Sequence, residues 1–267
     1  MSGQVAKRLE AARRASRYVT VLVAAACSVA LPACSGSKTS GNETIARIAG
    51  VGSISKAMLE HWIPIEAVVL YENKPARPVP KGVIPDPPNY TACVAHVETM
   101  AEKPIGADGK PSKEEAKAKC REKYAQVREY ALNTLIGWYW TIGSGKAFGF
   151  RASNAEAKRR LSEVNRIAYP REGEFARYLR LTGQTVDDML LRSKVQLYEV
   201  KIGEARLAMA KRLPAGLGER QRQAAFARFA ERVPSQKQWA AKTSCRKGYV
   251  VSACREYKGS QLPGLPD

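Results

Sequence analysis

Residues 153–197, SNAEAKRRLSEVNRIAYPREGEFARYLRLTGQTVDDMLLRSKVQL, decide the fold, because they alternate helix-forming runs with residues that stop helices. Asn154 is the N-cap of a helix, and Pro170 ends that helix. The short run GEFARYLRLTG ends at Gly183, a residue type that commonly terminates helices. Thr185 then caps the next run. This stretch therefore predicts three helices in succession.

The third of these helices extends to about residue 213, where Pro214 breaks it. A last helix, about 218–232, carries Phe226 and Phe229. The apolar residues of the third helix recur at helical spacing, and they predict a stripe that faces the core: Val186, Leu190, Leu197, Val200 and Leu207.

Upstream of the opening stretch, a long helix starts at Ser112 with Glu115 three residues on, which is the pattern of a capping box. A proline-rich segment (73–92), which predicts an extended loop, and a second segment rich in helix breakers (102–112) delimit an excursion over residues 73–112. Before them, IARIAGVGSIS (45–55) predicts a short strand broken by glycines, and Ser55 caps the helix that follows.

The C-terminal run KTSCRKGYVVSACREYKG predicts two short strands about Lys247-Gly248. Together these patterns predict an all-α, mainly helical fold with a short N-terminal strand and a small disulfide-stapled C-terminal hairpin. The predicted organisation is a signal peptide (1–33), a flexible tether (34–44), a helical domain (45–232) with the excursion 73–112, and a C-terminal extension (233–267).

The first 33 residues have the parts of a secretory signal: a basic leader, an apolar run and small residues before a cleavage point. The uncharged run 18–30 is too short to span a bilayer comfortably. Leu31-Pro32-Ala33-Cys34 resembles the lipobox of bacterial lipoproteins, in which the cysteine is lipidated and becomes the new N-terminus. This resemblance implies lipidation at Cys34 and an extracytoplasmic place on the cell membrane. Plain secretion and a retained N-terminal anchor are the alternatives.

The net charge of +19 predicts an affinity for anions. The chain from Cys34 onward keeps +15, because the leader holds five cations and Glu10. Export removes the usual route to nucleic acid. The expected anionic partners are therefore lipid headgroups or polymers of the cell envelope, and nucleic acid is not expected.

Four cysteines remain after Cys34, an even number that agrees with export. They allow three pairings, of which local pairing is the simplest, Cys93 with Cys120 and Cys245 with Cys254. In the chain-entropy model these two loops stabilise by about 3.5 and about 2.7 kcal/mol. Zinc is the alternative, but the spacings are not CxxC, and the two histidines lie far from the second pair.

No catalytic, cofactor or metal site is predicted. Gly143-Ser144-Gly145-Lys146 lacks the rest of a phosphate-binding loop. His61 beside Trp62 is interpreted as helix surface and core rather than as a general base. Asp187-Asp188 belong to a helix start, where carboxylates favour the N-terminal end of the helix dipole.

Residues 152–197 also resemble the N-terminal chaperone domain of the SurA/PrsA family of envelope foldases. The likeness rests on the helix start at Asn154 and on the apolar and turn residues that follow, among them Phe175, Leu179 and Gly183. His61-Trp62, the PDPP motif that begins at Pro85 and the terminal Cys-x8-Cys resemble a lipoprotein branch of that family. The resemblance covers about 45–212.

The resemblance implies a helical domain that cradles unfolded chains, without the parvulin isomerase domain that often follows. Leu213 and Cys245 are 32 positions apart, which is too short a distance for such a domain. The expected function is an ATP-independent folding helper for unfolded or nascent exported polypeptides. An adaptor or structural lipoprotein and a prolyl isomerase are the alternatives. The expected client-groove residues are Trp62, Leu135, Trp138, Trp140, Leu190 and Leu197, and the apolar cluster 132–142, with Trp138 and Trp140, is either core or groove.

Overall fold

The computed structural model describes residues 43–72, 75, 77–101, 111–214, 216–231 and 234–259. The predicted leader, Cys34 and the tether up to residue 42 lie outside these ranges. The described elements are β1 (Thr44–Ile48), β2 (Gly52–Ser55), α1 (Lys56–Tyr71), α2 (Thr91–Ala101), α3 (Lys113–Ala147), α4 (Asn154–Ala168), α5 (Glu174–Thr182), α6 (Val186–Arg212), α7 (Glu219–Glu231), α8 (Gln236–Ala241) and β3 (Thr243–Cys245).

The predicted fold class is confirmed, because the chain is mainly helical with a short pair of strands at its N-terminal end. The long helices α1, α3 and α6 pack together, and α4 lies along α6. The core lies between these helices and the sheet. Within the described ranges, the main core cluster begins at Ile45 of β1 and ends at Cys254.

Local hydrogen bonds explain where the helices begin. Four helices begin with a capping box, in which the side chain of the cap accepts a hydrogen bond from the backbone amide three residues on. The side chain of that third residue in turn accepts a hydrogen bond from the backbone amide of the cap. The caps are Ser112, Ser153, Thr185 and Ser235. Such a capping box satisfies two free amides at once. The prediction of Asn154 as a cap was wrong by one residue. Ser153 is the cap because only it has a carboxylate, Glu156, at the required spacing.

The sheet joins the two ends of the described chain. Its strand order is β2-β1-β3, and both pairs are antiparallel. Thr44, assigned to the tether from the sequence, is the first residue of β1. β1 forms a hairpin with β2, and its other edge pairs with β3, so that Ala46 lies opposite Cys245.

The C-terminal segment differs in detail from the expected hairpin. Within the described residues it holds one strand, β3, and the chain after it turns back through residues 246–258 without a second strand. The physical reason is that β1 offers a free edge of backbone donors and acceptors. Trp239, Val251 and Ala253 join the main core, so the extension completes the helical domain.

The predicted buried stripe of α6 is wrong for three of its five residues. Val186, Val200 and Leu207 are 50, 44 and 63% exposed. The buried residues of α6 are Asp188, Ser193, Val195 and Tyr198. Three of these, Asp188, Val195 and Tyr198, each lie two positions from a predicted residue. Two positions are about 200° around a helix, so the buried face is nearly opposite the predicted one.

Candidate functional site

Two of the predicted groove residues lie in the core. Trp62 is 1% exposed and Leu135 is fully buried, both within the cluster that joins α1, α3 and the sheet. Neither side chain can meet a client while the domain is folded. The assignment of Trp62 to a groove was wrong, because apolar spacing along a helix does not show which side faces a neighbouring helix. For Leu135 the sequence left core and groove open, and the side chain lies in the core.

Trp138 and Trp140 are half-buried and serve the packing of the domain. The Trp138 ring meets Trp62 edge to face at 4.8 Å. Trp140 donates from Nε1 to the hydroxyl of Thr243 at 2.9 Å. Thr243 donates in turn to the carbonyl oxygen of Trp239 at 2.9 Å, so Trp140 holds β3 and α8 in place.

Leu190 and Leu197, the last two predicted groove residues, are half-buried on α6. Leu190 lines a shallow cavity with Ala157 of α4 and the two cations Lys158 and Lys194. Leu197 is not part of that lining. The six predicted residues are therefore not brought together into one groove.

A buried ion pair ties α6 to α1. Glu66 is 3% exposed, and its Oε1 accepts a hydrogen bond from Arg192 at 3.0 Å. The Arg192 guanidinium lies 5.0 Å from the ring of Trp62 and 5.2 Å from that of Trp138, within the range of a cation–π contact. Burial raises the pKa of Glu66, and the nearby charge of Arg192 opposes that shift. This arrangement holds three helices together.

His61 and Asp188 form a second contact between the same helices. His61 Nε2 lies 2.9 Å from Asp188 Oδ2. The same oxygen accepts hydrogen bonds from the amide and the hydroxyl of Thr185, so it also caps α6. One carboxylate oxygen thus has three partners, and the geometry assigns Asp188 to helix capping and docking.

A third ionic contact joins α4 to α6. Lys201 Nζ lies 2.7 Å from Glu156, the carboxylate that also closes the capping box with Ser153. The hydrogen bond from Lys201, followed by those from Ser153, lowers the pKa of Glu156 to about 2. Glu156 therefore stays ionised far into the acid range.

Large apolar side chains are exposed or half-buried on the distal half of α6, on α7 and at the turn after α3. Phe148 stacks against Phe150 at 5.6 Å and against Phe229 at 5.1 Å, and these rings are half-buried. Arg206 lies 5.6 Å from the ring of Phe226. We call the apolar residues of these elements the arm surface: Phe148, Phe150, Phe226 and Phe229, together with Val200 and Leu207, which are exposed on α6.

The arm surface is also cationic. Lys211, Arg212, Arg220 and Arg228 are exposed around it. No carboxylate of the described residues lies within ion-pairing distance of these four side chains. Apolar rings beside unpaired cations form a surface that suits an extended chain with apolar and acidic side chains.

Sequence reasoning missed Phe148 and Phe150 and assigned Val200 and Leu207 to the core. A signal for the first two was present. The sequence predicted that the long helix runs on through Phe150, but α3 ends at Ala147, and Gly149, with a φ of 80°, places the two phenylalanines at a turn; the glycine between them was the signal.

The two predicted disulfides are present in the structure. Cys93 and Cys120 are joined with a Cα–Cα distance of 6.1 Å, and Cys245 and Cys254 with one of 5.7 Å. The first bridge fastens the start of α2 to α3. Asp86 accepts hydrogen bonds from the amides of Ala92 and Cys93, which places the proline-rich loop on the same helix start.

Among the described residues, no group of three histidine, cysteine or acidic side chains is placed to hold a metal ion. Within the same ranges no helix has the length and apolar character needed to cross a membrane. No protein-family model, curated protein or solved structure matches the chain. The resemblance to the SurA/PrsA family stays a prediction.

Proposed function

We propose that the protein is an exported, lipid-anchored, ATP-independent chaperone that holds unfolded exported polypeptides on the arm surface. The observation that carries this proposal is the exposure of Val200 and Leu207, 44 and 63%, on α6, the helix that contacts α7, where two of the four half-buried phenylalanines lie. Large apolar side chains that a folded domain leaves exposed commonly mark a site that binds other chains when they form a patch. The lipid anchor itself rests on the lipobox at Cys34.

The mechanism is a binding equilibrium. An unfolded chain exposes apolar segments, and the arm surface buries them without a source of chemical energy. Binding to the unfolded state lowers the concentration of free unfolded chain and so slows its aggregation. Exposed cations such as Lys211 and Arg212 keep the complex soluble and attract acidic segments.

The test is suppression of aggregation by the chain from residue 34 with several unrelated clients, in the absence of ATP. The variant Val200→Ser with Leu207→Ser should lose most of the protection. Its stability should change by less than about 1 kcal/mol, because both side chains are largely exposed. Ile167→Ser with Val186→Ser is the matched control, since these residues are 76 and 50% exposed outside the arm surface.

Each outcome has a distinct meaning. A wild-type protein that protects no client at stoichiometric ratio would refute the chaperone proposal and leave the adaptor lipoprotein in its place. Equal loss of protection in both variants would refute the arm surface as the site. Saturable turnover of a proline peptide would support the prolyl isomerase alternative instead.

A further inference from the structure

The C-terminal loop, residues 246–258, lies where the described chain begins. Arg246 forms an ion pair with Glu43, the first described residue. The amide of Arg246 donates to the carbonyl oxygen of Ile45 at 2.9 Å. Any tether that precedes Glu43 therefore enters the domain directly beside this loop.

The surface around this entry point is strongly cationic. Glu43 and Glu256 are the carboxylates of the loop and of its junction with β1, and each is paired with an arginine. We define the tether-side surface by its exposed cations: Arg47, Lys242, Arg246, Lys247, Arg255 and Lys258. Val250, 38% exposed, adds an apolar side chain to the same loop.

Several contacts fix the loop that presents these charges. The disulfide Cys245–Cys254 closes it, and Val251 is buried against the core. Arg128 of α3 lies 5.8 Å from the ring of Tyr249, and Asn133 of α3 accepts a hydrogen bond from Ser252 at 3.3 Å. The cations therefore project from a braced scaffold.

Chain length places this surface near the bilayer. Nine positions separate Cys34 from Glu43. A chain of that length spans at most about 30 Å when fully extended, and about 17 Å on average if it behaves as a flexible linker. With lipid on Cys34, the part of the domain nearest to the headgroups is the part that surrounds Glu43.

We propose that the tether-side surface binds the anionic headgroups of the bilayer to which Cys34 is anchored. Each lysine or arginine held close to an anionic leaflet strengthens binding by about fivefold. Val250 favours a lipid surface over a fully hydrated polymer, because an apolar side chain gains from entering the headgroup region. This contact goes beyond client binding and uses different residues.

The experiment measures vesicle binding of the chain from residue 34 with Cys34→Ser, so that no lipid on the protein contributes. The vesicles are phosphatidylcholine alone or phosphatidylcholine with one third phosphatidylglycerol, each at low and at high salt. The test variant carries Arg47→Gln, Lys247→Gln and Lys258→Gln, because none of these three has an ion-pair partner among the described residues.

Two control variants remove the same charge elsewhere. One carries Lys158→Gln, Arg159→Gln and Arg166→Gln on α4, and the other Lys211→Gln, Arg212→Gln and Arg220→Gln beside the arm surface. We expect binding to the anionic vesicles only, weakened by salt. The test variant should bind about a hundredfold more weakly, whereas each control should change by less than about fivefold.

Three results would overturn the proposal. The first is that the chain does not bind anionic vesicles. The second is that all three variants lose affinity equally. The third is that the control variant beside the arm surface loses the most affinity. A further measurement replaces the vesicles with soluble polyphosphate. If polyphosphate binds and the vesicles do not, the partner is an anionic polymer and the lipid assignment is wrong. Circular dichroism of each variant confirms that the helical fold is kept.

Discussion

At the scale of single residues, Arg192 has the largest predicted effect, because it neutralises a carboxylate that water cannot reach. Arg192→Ala would leave Glu66, 3% exposed, without its positive partner. The arginine side chain is itself 25% exposed. We therefore expect the free energy of unfolding to fall by about 2–3 kcal/mol at neutral pH, which is no more than the smallest losses typical of breaking a buried ion pair. Arg160→Ala, from an exposed pair with Glu163, should cost less than about 1 kcal/mol. Denaturant unfolding measures both.

The same substitution should depend on pH. Burial raises the pKa of Glu66 in the folded protein, so the folded state binds this proton more tightly than the unfolded state does. Stability then falls as the pH rises through the interval between the unfolded and the folded pKa. Arg192→Ala removes the opposing charge and widens that interval. Its penalty should be small at about pH 4, near the ordinary pKa of a glutamate, and should grow as the pH rises toward neutral. A penalty that is constant across this range would assign the loss to the tryptophan contacts instead.

At the scale of elements, the two disulfides should stabilise different parts of the molecule. Replacing Cys93 and Cys120 by alanine should cost about 3.5 kcal/mol and replacing Cys245 and Cys254 about 2.7 kcal/mol, from the loop entropies alone. The first pair joins α2 to α3, and the second braces the strand that pairs with β1. Native-state hydrogen exchange should therefore show faster exchange in α2 for the first variant and in the sheet for the second. Faster exchange of the sheet in the Cys93 and Cys120 variant would contradict this separation.

At the scale of the whole molecule, the C-terminal extension should be indispensable for folding. Trp239 donates from Nε1 to the hydroxyl of Ser144 at 2.9 Å, and its ring lies so close to Gly143 that a Cβ there would meet it at 2.4 Å. A chain that ends at Glu231 loses this tryptophan, β3 and one disulfide, and we expect it not to fold. Removal of 260–267 alone should leave the melting temperature within about 2 °C, because that truncation keeps Trp239, β3 and both disulfides. Thermal unfolding of the two truncations distinguishes a built-in extension from a separate tail.

The sequence by itself determined where the long helices begin and favoured the local pairing of the cysteines, but it missed the short helices α2 and α8. Helix boundaries are local, because a cap such as Thr185 satisfies the free amides of its own first turn, and Pro170 and Gly183 act on the backbone where they stand. The cysteines lie close in sequence to their partners, so local closure already favours the observed pairs. These signals need no knowledge of the rest of the chain.

The tertiary structure decided which faces are buried and therefore where a client could bind. Trp62 and Leu197 both lie on apolar helix positions, yet one is in the core and the other is half-buried. The difference depends on which helix packs against that face, and apolar spacing along one helix does not show this. β3 likewise pairs with β1 across about 200 residues, and no short-range pattern marks that edge. Val200 and Leu207 of the arm surface have the spacing of core residues in the sequence. They are exposed because no element of the described chain covers that face of α6.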